Sequence, residues 1–220
     1  MQHLIIYAHP HLHSFSKAIV DSIATSSKKC GGAVMIRDLY RMNFNPILSY
    51  EELQGSYQGI IAAEIRYEQQ LILNADLITL VYPLWWMGFP AILKGYLDRV
   101  LTHGFAYKTE NGISHGLLNG KKLQQFILIG SNLAEYQQRG FDKSMQDTLV
   151  DGLFNYCGIK DIQHQIFDDI HLIDDQARQS MLLQAAEITT QNLGIVDKKV
   201  GQNSLEALHY KALSEFYKND

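Results

Sequence analysis

Apolar residues along the chain fall into short unbroken runs that alternate with longer segments of helical periodicity. The unbroken runs cover 4–8, 33–38, 76–82, 121–130 and 162–167. The segments with helical spacing cover 16–27, a polar stretch that ends near residue 74, 91–102, 142–156 and 174–193. Short runs without polar alternation are typical of strands buried on both faces. Strands that alternate with helices predict an α/β fold with a doubly wound, five-stranded parallel sheet, right-handed crossovers and helices on both faces.

Length and composition predict one globular domain. The chain has 220 residues, of which 46% are hydrophobic and 19% charged, as in proteins with a packed core. We expect the domain to cover residues 1–193. The more polar stretch 194–220 is predicted to be a C-terminal tail, either ordered on a partner subunit or frayed.

Charge and cysteine content exclude several classes of partner. The net charge is -4 and Lys and Arg are spread along the chain, so nucleic acid is not an expected ligand. No apolar run approaches the ~20 residues of a membrane span, and the first residues do not resemble a signal peptide. Cys30 and Cys157 fit no CxxC or metal-ligand spacing and are expected to be buried thiols. A cytoplasmic protein is therefore expected.

The loop after the first strand is a candidate phosphate site. In an open parallel sheet, ligands bind outside the carboxyl ends of the strands. This loop reads HPHLHSFS from His9 to Ser16 and opens a helix, whose first N–H groups can hold a phosphate. The alternative is a serine N-cap, at Ser14 or Ser16, beside surface histidines. No carboxylate or cysteine accompanies these histidines, so no metal is expected.

Two further loops carry unusual residues. The loop after the third strand reads YPLWWMGFP, and its aromatic rings suit a flat conjugated ligand, a core or a subunit interface. The loop after the fourth strand contains Gly130 and Ser131, which allow close approach of a ligand to the backbone, and Tyr136, a phenol donor.

Motifs for other chemistries are missing from the sequence. It has no G-x-S-x-G elbow, no P-loop, and no G-x-G-x-x-G after the first strand. If hydride chemistry occurs, the reactive centre must therefore belong to a bound cofactor.

Four segments together resemble the NAD(P)H:quinone oxidoreductase family typified by DT-diaphorase. They are AHP followed by SFS, DLYRMNFNPILS, YPLWWMGFPAILKGYLDRVL and HGFAY, and the similarity runs over about residues 3–190. The resemblance implies a flavodoxin-like fold, a tightly held flavin, and two-electron ping-pong transfer from NADH or NADPH to quinones. It also implies a homodimer with active sites at the interface. FAD is the expected flavin, with FMN as the alternative.

The resemblance also implies roles for individual residues. Positions matching the flavin-binding residues of the family are His9, Ser14, Phe15, Ser16, Pro83, Leu84, Trp85, Trp86, Met87, Gly130, Ser131, Ile170 and Arg178. Ile170 and Arg178 match positions around the adenosine half of FAD. Tyr136 matches the tyrosine that stabilises charge on the reduced flavin, and Tyr107 an aromatic that lines the acceptor pocket from the partner subunit.

Two departures from the family pattern affect the predicted chemistry. Where the mammalian members have Thr-Thr-Gly-Gly, this chain has LIGS at 128–131. Where they have a catalytic histidine, it offers RGFD at 139–142. We therefore predict Tyr136 and Arg139 as the catalytic residues, Arg139 acting by charge alone, with Phe141 in the substrate pocket.

Two other functions remain open at the level of sequence. Some bacterial relatives are flavin-containing ancillary subunits that regulate glutathione-gated potassium efflux systems. A binding or structural protein without a competent flavin site is the other alternative. An aromatic acceptor pocket discriminates poorly, so the sequence does not identify the physiological acceptor.

Overall fold

The structure is a computed structural model of the chain and describes residues 1–194. The predicted tail lies outside the described residues except for Gly194. Seven strands are found in this part of the chain: β1 (Gln2–Tyr7), β2 (Ala33–Asp38), β3 (Leu77–Pro83), β4 (Tyr107–Glu110), β5 (Ile113–Gly116), β6 (Lys122–Leu128) and β7 (Asp161–Phe167). The α-helices are α1 (Phe15–Lys29), α2 (Tyr50–Tyr57), α3 (Ala63–Asn74), α4 (Ala91–Val100), α5 (Leu133–Gln138), α6 (Phe141–Met145) and α7 (Asp175–Asn192), and α6 continues into a π-helix, Gln146–Asn155.

Five strands form one parallel sheet in the order β2-β1-β3-β6-β7. Each pair is parallel. The chain adds β2 on one side of β1 and β3, β6 and β7 on the other, so the strand order reverses between β1 and β3, which is the topological switch point of a doubly wound fold. The predicted sheet and its helical crossovers are confirmed. The three inner strands are almost completely buried, because helices cover them on both sides.

Two hydrophobic clusters lie on opposite faces of the sheet. On one face, Ile5 of β1 packs with Ile19 of α1 and Leu182 of α7. On the other face, Leu80 of β3 packs with Tyr96 of α4 in a cluster that also includes residues of α3 and of the π-helix. Burying each such side chain contributes about 1.5 to 3 kcal/mol. The sheet is therefore held rigidly between two layers, and its loops project from the carboxyl ends of the strands.

Three local elements differ from the sequence prediction. A hairpin of β4 and β5 connects α4 to β6, where the sequence indicates only a Gly-rich connection. Its turn is Asn111-Gly112, both with positive φ, the turn that matches the twist of a two-stranded ribbon. The loop after β6 contains α5, which Asn132 caps by accepting the N–H of Ala134. The helix predicted over 142–156 is mainly π-helical.

An ion-pair cluster attaches the segment between β2 and β3 to α4. Arg99 of α4 is 5% exposed and bonds Glu52 of α2, Glu64 of α3 and the carbonyl of Asn45. Among residues 1–194, no helix is both long enough and apolar enough to span a membrane.

Candidate functional site

A cavity of about 420 Å³ opens at the carboxyl ends of β1, β3 and β6. Its lining comes from five parts of the chain, namely the β1–α1 loop with the start of α1, the end of β3, the end of β6, the β7–α7 loop and α7. The lining residues are His9, His11, His13, Ser14, Phe15, Ser16, Pro83, Leu128, Ile170, His171 and Arg178. This is the position at which open α/β sheets bind ligands.

The N-terminus of α1 forms one wall of the cavity. Ser14 is the N-cap, and its hydroxyl accepts the N–H of Lys17 at 3.2 Å and contacts the Tyr7 hydroxyl at 3.0 Å. Burial raises the pKa of Tyr7 to about 12, so this phenol stays neutral. The N–H groups of Phe15 and Ser16 stand in the first turn, where a helix offers them no internal partner. The predicted N-cap and the predicted phosphate site are therefore compatible, because Ser14 takes only one N–H.

Two histidine rings of the β1–α1 loop are held by hydrogen bonds from backbone N–H groups of the same loop. Nδ1 of His9 accepts the N–H of His11 at 3.0 Å, and Nδ1 of His11 accepts the N–H of His13 at 3.3 Å. An acceptor Nδ1 places the ring proton on Nε2, so His9 and His11 are neutral imidazoles with one N–H donor each. Burial lowers the pKa of His9, which also favours its neutral form.

Arg178 and the β7–α7 loop form the opposite wall. The Arg178 guanidinium donates to the carbonyl of Ile170 at 2.7 Å and lies 5.3 Å from the centre of the Phe15 ring. His171 follows Ile170 and lies against Gly130, where an added Cβ would be only 3.1 Å from the imidazole. Glycine at 130 therefore makes room for His171 beside the cavity.

The aromatic loop after β3 is a tight turn with strained backbone. Trp85 and Gly88 exchange backbone hydrogen bonds of 3.2 and 3.0 Å. The two residues between them, Trp86 and Met87, both have positive φ, which costs free energy for residues with side chains. This conformation leaves the Trp86 indole fully exposed, while Leu84 is buried. A flat ring or a partner surface would cover an indole presented in this way.

This turn is adjacent to the cavity. The rings of Trp85 and His9 are 6.0 Å apart between centroids. A ligand with a phosphate end and a flat ring could therefore contact both the α1 N-terminus and the aromatic turn.

The predicted catalytic residues surround Phe141 and do not line the cavity. The Tyr136 ring meets the Phe141 ring edge-on at 5.7 Å, and the Arg139 guanidinium lies 4.9 Å from the centre of the same ring. Tyr136 is half-buried against the core, and Arg139 is exposed at the end of α5. The three side chains form one cluster above the carboxyl end of β6.

Tyr107 lies apart from these residues. It lines a second cavity of about 300 Å³, between α2, α3 and the end of α4. Burial, followed by a hydrogen bond with Tyr57, raises the pKa of Tyr107 to about 12. Its predicted place in an acceptor pocket requires a second copy of the chain, so it stays a prediction.

The structure thus brings together about half of the predicted cofactor residues in one cavity. Those that line it are His9, Ser14, Phe15, Ser16, Pro83, Ile170 and Arg178. Those that lie outside its lining are Leu84, Trp85, Trp86, Met87, Gly130 and Ser131. Leu128 and His171 line the cavity but are not among the site residues predicted from the sequence, and His11 and His13 are included there only as histidines of the first loop. The position of His171, directly after Ile170 at the carboxyl end of a strand, is the signal that could have found it.

The donor set of the cavity fits an anionic phosphate group. It combines helix N–H groups, imidazole N–H groups and a guanidinium, and none of the described lining residues is Asp or Glu. Residues 1–194 contain no cluster of three or more His, Cys, Asp or Glu side chains able to hold a metal ion.

Comparison with known proteins gives a consistent result. A family model described as flavodoxin-like fold matches residues 1–190. A Haemophilus influenzae protein named uncharacterized NAD(P)H oxidoreductase is 61% identical over 194 residues, which cover 88% of this chain and 96% of that protein. Rat NAD(P)H dehydrogenase [quinone] 1 is 31% identical over 199 residues, 81% of this chain and 73% of the rat protein.

A solved structure has the same fold at a similar level of identity. The NAD(P)H:quinone oxidoreductase from Methanothermobacter marburgensis superposes with a TM-score of 0.78 and 30% identity, covering 86% of this chain and 97% of that one. The resemblance predicted from the loop sequences is confirmed by these relatives.

Proposed function

We propose that this chain, which belongs to the flavodoxin-like fold family, is a flavin-dependent NAD(P)H dehydrogenase that passes two electrons from NADH or NADPH to quinone-like acceptors. The observation that carries the proposal is the cavity at the N-terminus of α1, which has donors but no carboxylate among its described lining residues, and which adjoins an exposed aromatic turn. The relatives described above support it, since they are named NAD(P)H oxidoreductase, NAD(P)H dehydrogenase [quinone] 1 and NAD(P)H:quinone oxidoreductase.

The residues of the chain would hold the two ends of the flavin differently. The N–H groups of Phe15 and Ser16, with the Nε2–H of His9, would bind the phosphate end. The turn from Pro83 to Met87 would support the flat ring, and Gly130 and Ser131 would allow its edge to approach the backbone. When bound, the flavin supplies the chemistry that accepts and returns hydride, while the chain supplies orientation and exclusion of water.

Tyr136 and Arg139 are proposed to stabilise negative charge near the reactive ring. Tyr136 offers a phenol donor and Arg139 a permanent positive charge, and both are positioned by contact with Phe141. We therefore expect Arg139→Ala to slow flavin reduction by about tenfold. Lys143→Ala, which removes an exposed positive charge from the neighbouring α6, is the matched control. An unchanged rate in the Arg139 variant would end its catalytic assignment.

The finer identity of the flavin is proposed to be FAD. Beyond the α1 N-terminus the cavity continues to Ile170 and to the stacked pair of Phe15 and Arg178. An aliphatic side chain, an aromatic ring and a guanidinium are suitable contacts for an adenosine group. FMN, which lacks this group, would leave them without a ligand partner.

A homodimer is proposed as the working assembly. The Trp86 indole is fully exposed, and a second copy of the chain would cover it. Tyr107 lines the second cavity and not the first, so it could contribute to an acceptor pocket only from a partner subunit. A monomeric mass in solution at micromolar concentration would contradict this part of the proposal. Action in the cytoplasm is likewise a proposal, and it rests on the low cysteine content of the sequence, two in 220 residues.

The decisive experiment identifies the cofactor and then reduces it. The protein is purified untagged, its cofactor is released by heat and weighed by mass spectrometry, and NADH or NADPH is then added anaerobically to the holoprotein. We expect FAD, with bleaching of the flavin band within seconds. FMN would correct the finer identity only. If neither NADH nor NADPH reduces the bound flavin, the result would contradict the proposed dehydrogenase activity and favour the role of an ancillary subunit.

A further inference from the structure

The cavity contains more histidine than a phosphate site at a helix N-terminus requires. Four imidazoles line it, three from the β1–α1 loop and one from the β7–α7 loop, together with Arg178 of α7. These rings do not have equivalent surroundings. The difference between them assigns a separate role to two of the four.

Two of the imidazoles, those of His9 and His11, already accept hydrogen bonds from the backbone of their own loop. Nδ1 of His9 and Nδ1 of His11 each accept a backbone N–H, as described above. A proton added to either nitrogen would remove a hydrogen bond that orders the loop. Because Nδ1 is occupied in both rings, His9 and His11 each offer only Nε2–H to a ligand.

The other two imidazoles carry no such bond. Within residues 1–194, the ring nitrogens of His13 and His171 have no hydrogen-bond partner in the protein. His13 contacts the His11 ring edge-on at 5.8 Å, and His171 lies beside Gly130. Both rings can take up a proton without breaking a bond within the protein.

The charged side chains on the elements next to these two rings lie outside the cavity lining, except for Arg178. On α1, Lys17 pairs with Asp21 at 2.5 Å. On the β7–α7 loop, Asp168 accepts the N–H of Leu133 and Asp169 accepts from Asn132. The remaining charged neighbours are Asp174, which caps α7, Asp175 in the first turn of α7, Glu135 on α5, and Arg178. Of all these groups only Arg178 lines the cavity, so a bound anion would be the nearest counter-ion inside it.

We propose that His13 and His171 form a proton-dependent phosphate clamp, which tightens its hold on the phosphate-bearing cofactor as the pH falls from about 8 to about 6. The proposal rests on the proposed function, namely that a flavin phosphate occupies this cavity. Histidine is the side chain whose ordinary pKa lies near neutrality. The diphosphate of FAD, which carries two negative charges, gains a charge-assisted hydrogen bond from each imidazolium, and by linkage the protonated protein binds it more strongly.

The test measures cofactor affinity and not turnover. The protein is stripped of its cofactor, and FAD and riboflavin are titrated separately into it at about pH 8, 7 and 6, with flavin fluorescence as the signal. FAD is chosen because its diphosphate keeps a constant charge over this range, whereas a phosphate monoester titrates near pH 6. We expect the Kd of FAD to fall by about tenfold from pH 8 to pH 6. The Kd of riboflavin, which has no phosphate, should change by less than about twofold.

Variants separate the two rings from a general effect of pH. In the double variant His13→Gln with His171→Gln, the dependence of the FAD Kd on pH should shrink to less than about twofold, and each single variant should remove about half of it. His164→Gln, which removes an exposed imidazole from β7, should keep the full dependence. Circular dichroism verifies that each variant is folded, and the single variants carry the test if the double variant is not.

The outcomes distinguish this proposal from the one on which it rests. Absence of binding of both FAD and riboflavin at every pH would overturn the flavin site itself. Binding of FAD with a Kd that does not depend on pH would leave the flavin site standing and overturn the clamp. A pH dependence that persists in a folded double variant would also overturn the assignment to His13 and His171.

Discussion

His3 is a buried imidazole whose proton position is determined by its neighbours. The Ser27 hydroxyl donates to the carbonyl of Ile23, so its oxygen accepts Nδ1–H of His3 at 2.7 Å. Nε2 of His3 must then accept the hydroxyl of Thr79 at 2.6 Å. Only the neutral ring satisfies both bonds, and burial lowers the pKa of His3 to about 4.

We therefore predict that His3 makes the protein less stable in mild acid. Its pKa is near 6.5 when unfolded and about 4 when folded, so the unfolded chain binds the extra proton between these values. The stability that the neutral ring contributes is complete above pH 6.5 and is lost as the pH falls towards 4. At pH 4.5 the loss amounts to about 2.5 kcal/mol.

Urea unfolding of the wild type and of His3→Gln at about pH 7 and about pH 4.5 measures this effect. The difference in unfolding free energy between the two proteins should narrow by about 2.5 kcal/mol at the lower pH. His164→Gln, at an exposed position on β7, should follow the wild type at both values. A gap of equal size at both pH values would contradict the neutral assignment of His3.

At the scale of single residues, the sequence predicts a shared site for residues that are neighbours in the chain better than it predicts contacts between residues that are distant in the chain. His9, Ser14 and Phe15 belong to one loop that opens a helix, and their common site follows from that position. His171 comes from the far end of the chain and reaches the cavity because Gly130 leaves space for it. No pattern of neighbouring residues in the sequence indicates the contact between His171 and Gly130.

At the scale of elements, Arg99 joins three helices through one side chain. It bonds Glu52 of α2 at 2.5 Å and Glu64 of α3 at 2.6 Å, and its guanidinium lies 5.2 Å from the centre of the Phe44 ring. The hydrogen bonds from Arg99 lower the pKa of Glu52. Removing Arg99 would leave the Glu52 carboxylate without its cation and the α2–α4 packing without its polar contact.

We predict that Arg99→Met lowers the free energy of unfolding by about 3 kcal/mol, since it breaks a largely buried ion pair from one side. Lys94→Met, on the same helix, removes the exposed pair between Lys94 and Asp98 and should cost less than about 0.5 kcal/mol. Denaturant titration of both variants measures the difference. Equal effects would show that the Arg99 cluster is no stronger than a surface pair.

The elements that are not predicted from the sequence, the β4–β5 hairpin and the π-helix, are determined by local backbone geometry and not by the burial of apolar residues. The five sheet strands are predicted because burial on both faces makes them continuously apolar. The hairpin of β4 and β5 is mostly exposed, so its only sequence signal is the Asn111-Gly112 turn. Over so short a segment, the apolar residues that become π-helical have a spacing that also fits an α-helix, so the sequence pattern does not distinguish the two. Within the π-helix, a Cβ at Gly152 would be 2.7 Å from the Asp147 carbonyl oxygen.

At the scale of the whole molecule, the last helix completes one face of the sheet. Gln124 of β6 donates to the hydroxyls of Thr79 and Thr189 and accepts the amide of Asn192 at 2.7 Å. Leu193, directly after α7, is buried. We therefore propose that the folded domain needs the chain at least as far as Leu193, the end predicted for it from the sequence.

Truncation tests this proposed boundary. A chain that stops after Gly194 keeps every contact of α7 that the structure describes, and it should unfold within about 2 °C of the full chain. A chain that stops after Ile188 loses Thr189, Asn192 and the buried Leu193 and leaves the Gln124 amide without two partners. The expected cost is about 4 kcal/mol, equivalent to roughly 10 °C in Tm for a domain of this size. A chain ending at Gly194 that unfolds roughly 10 °C below the full chain would place part of residues 195–220 in the folded core and move the boundary beyond residue 193.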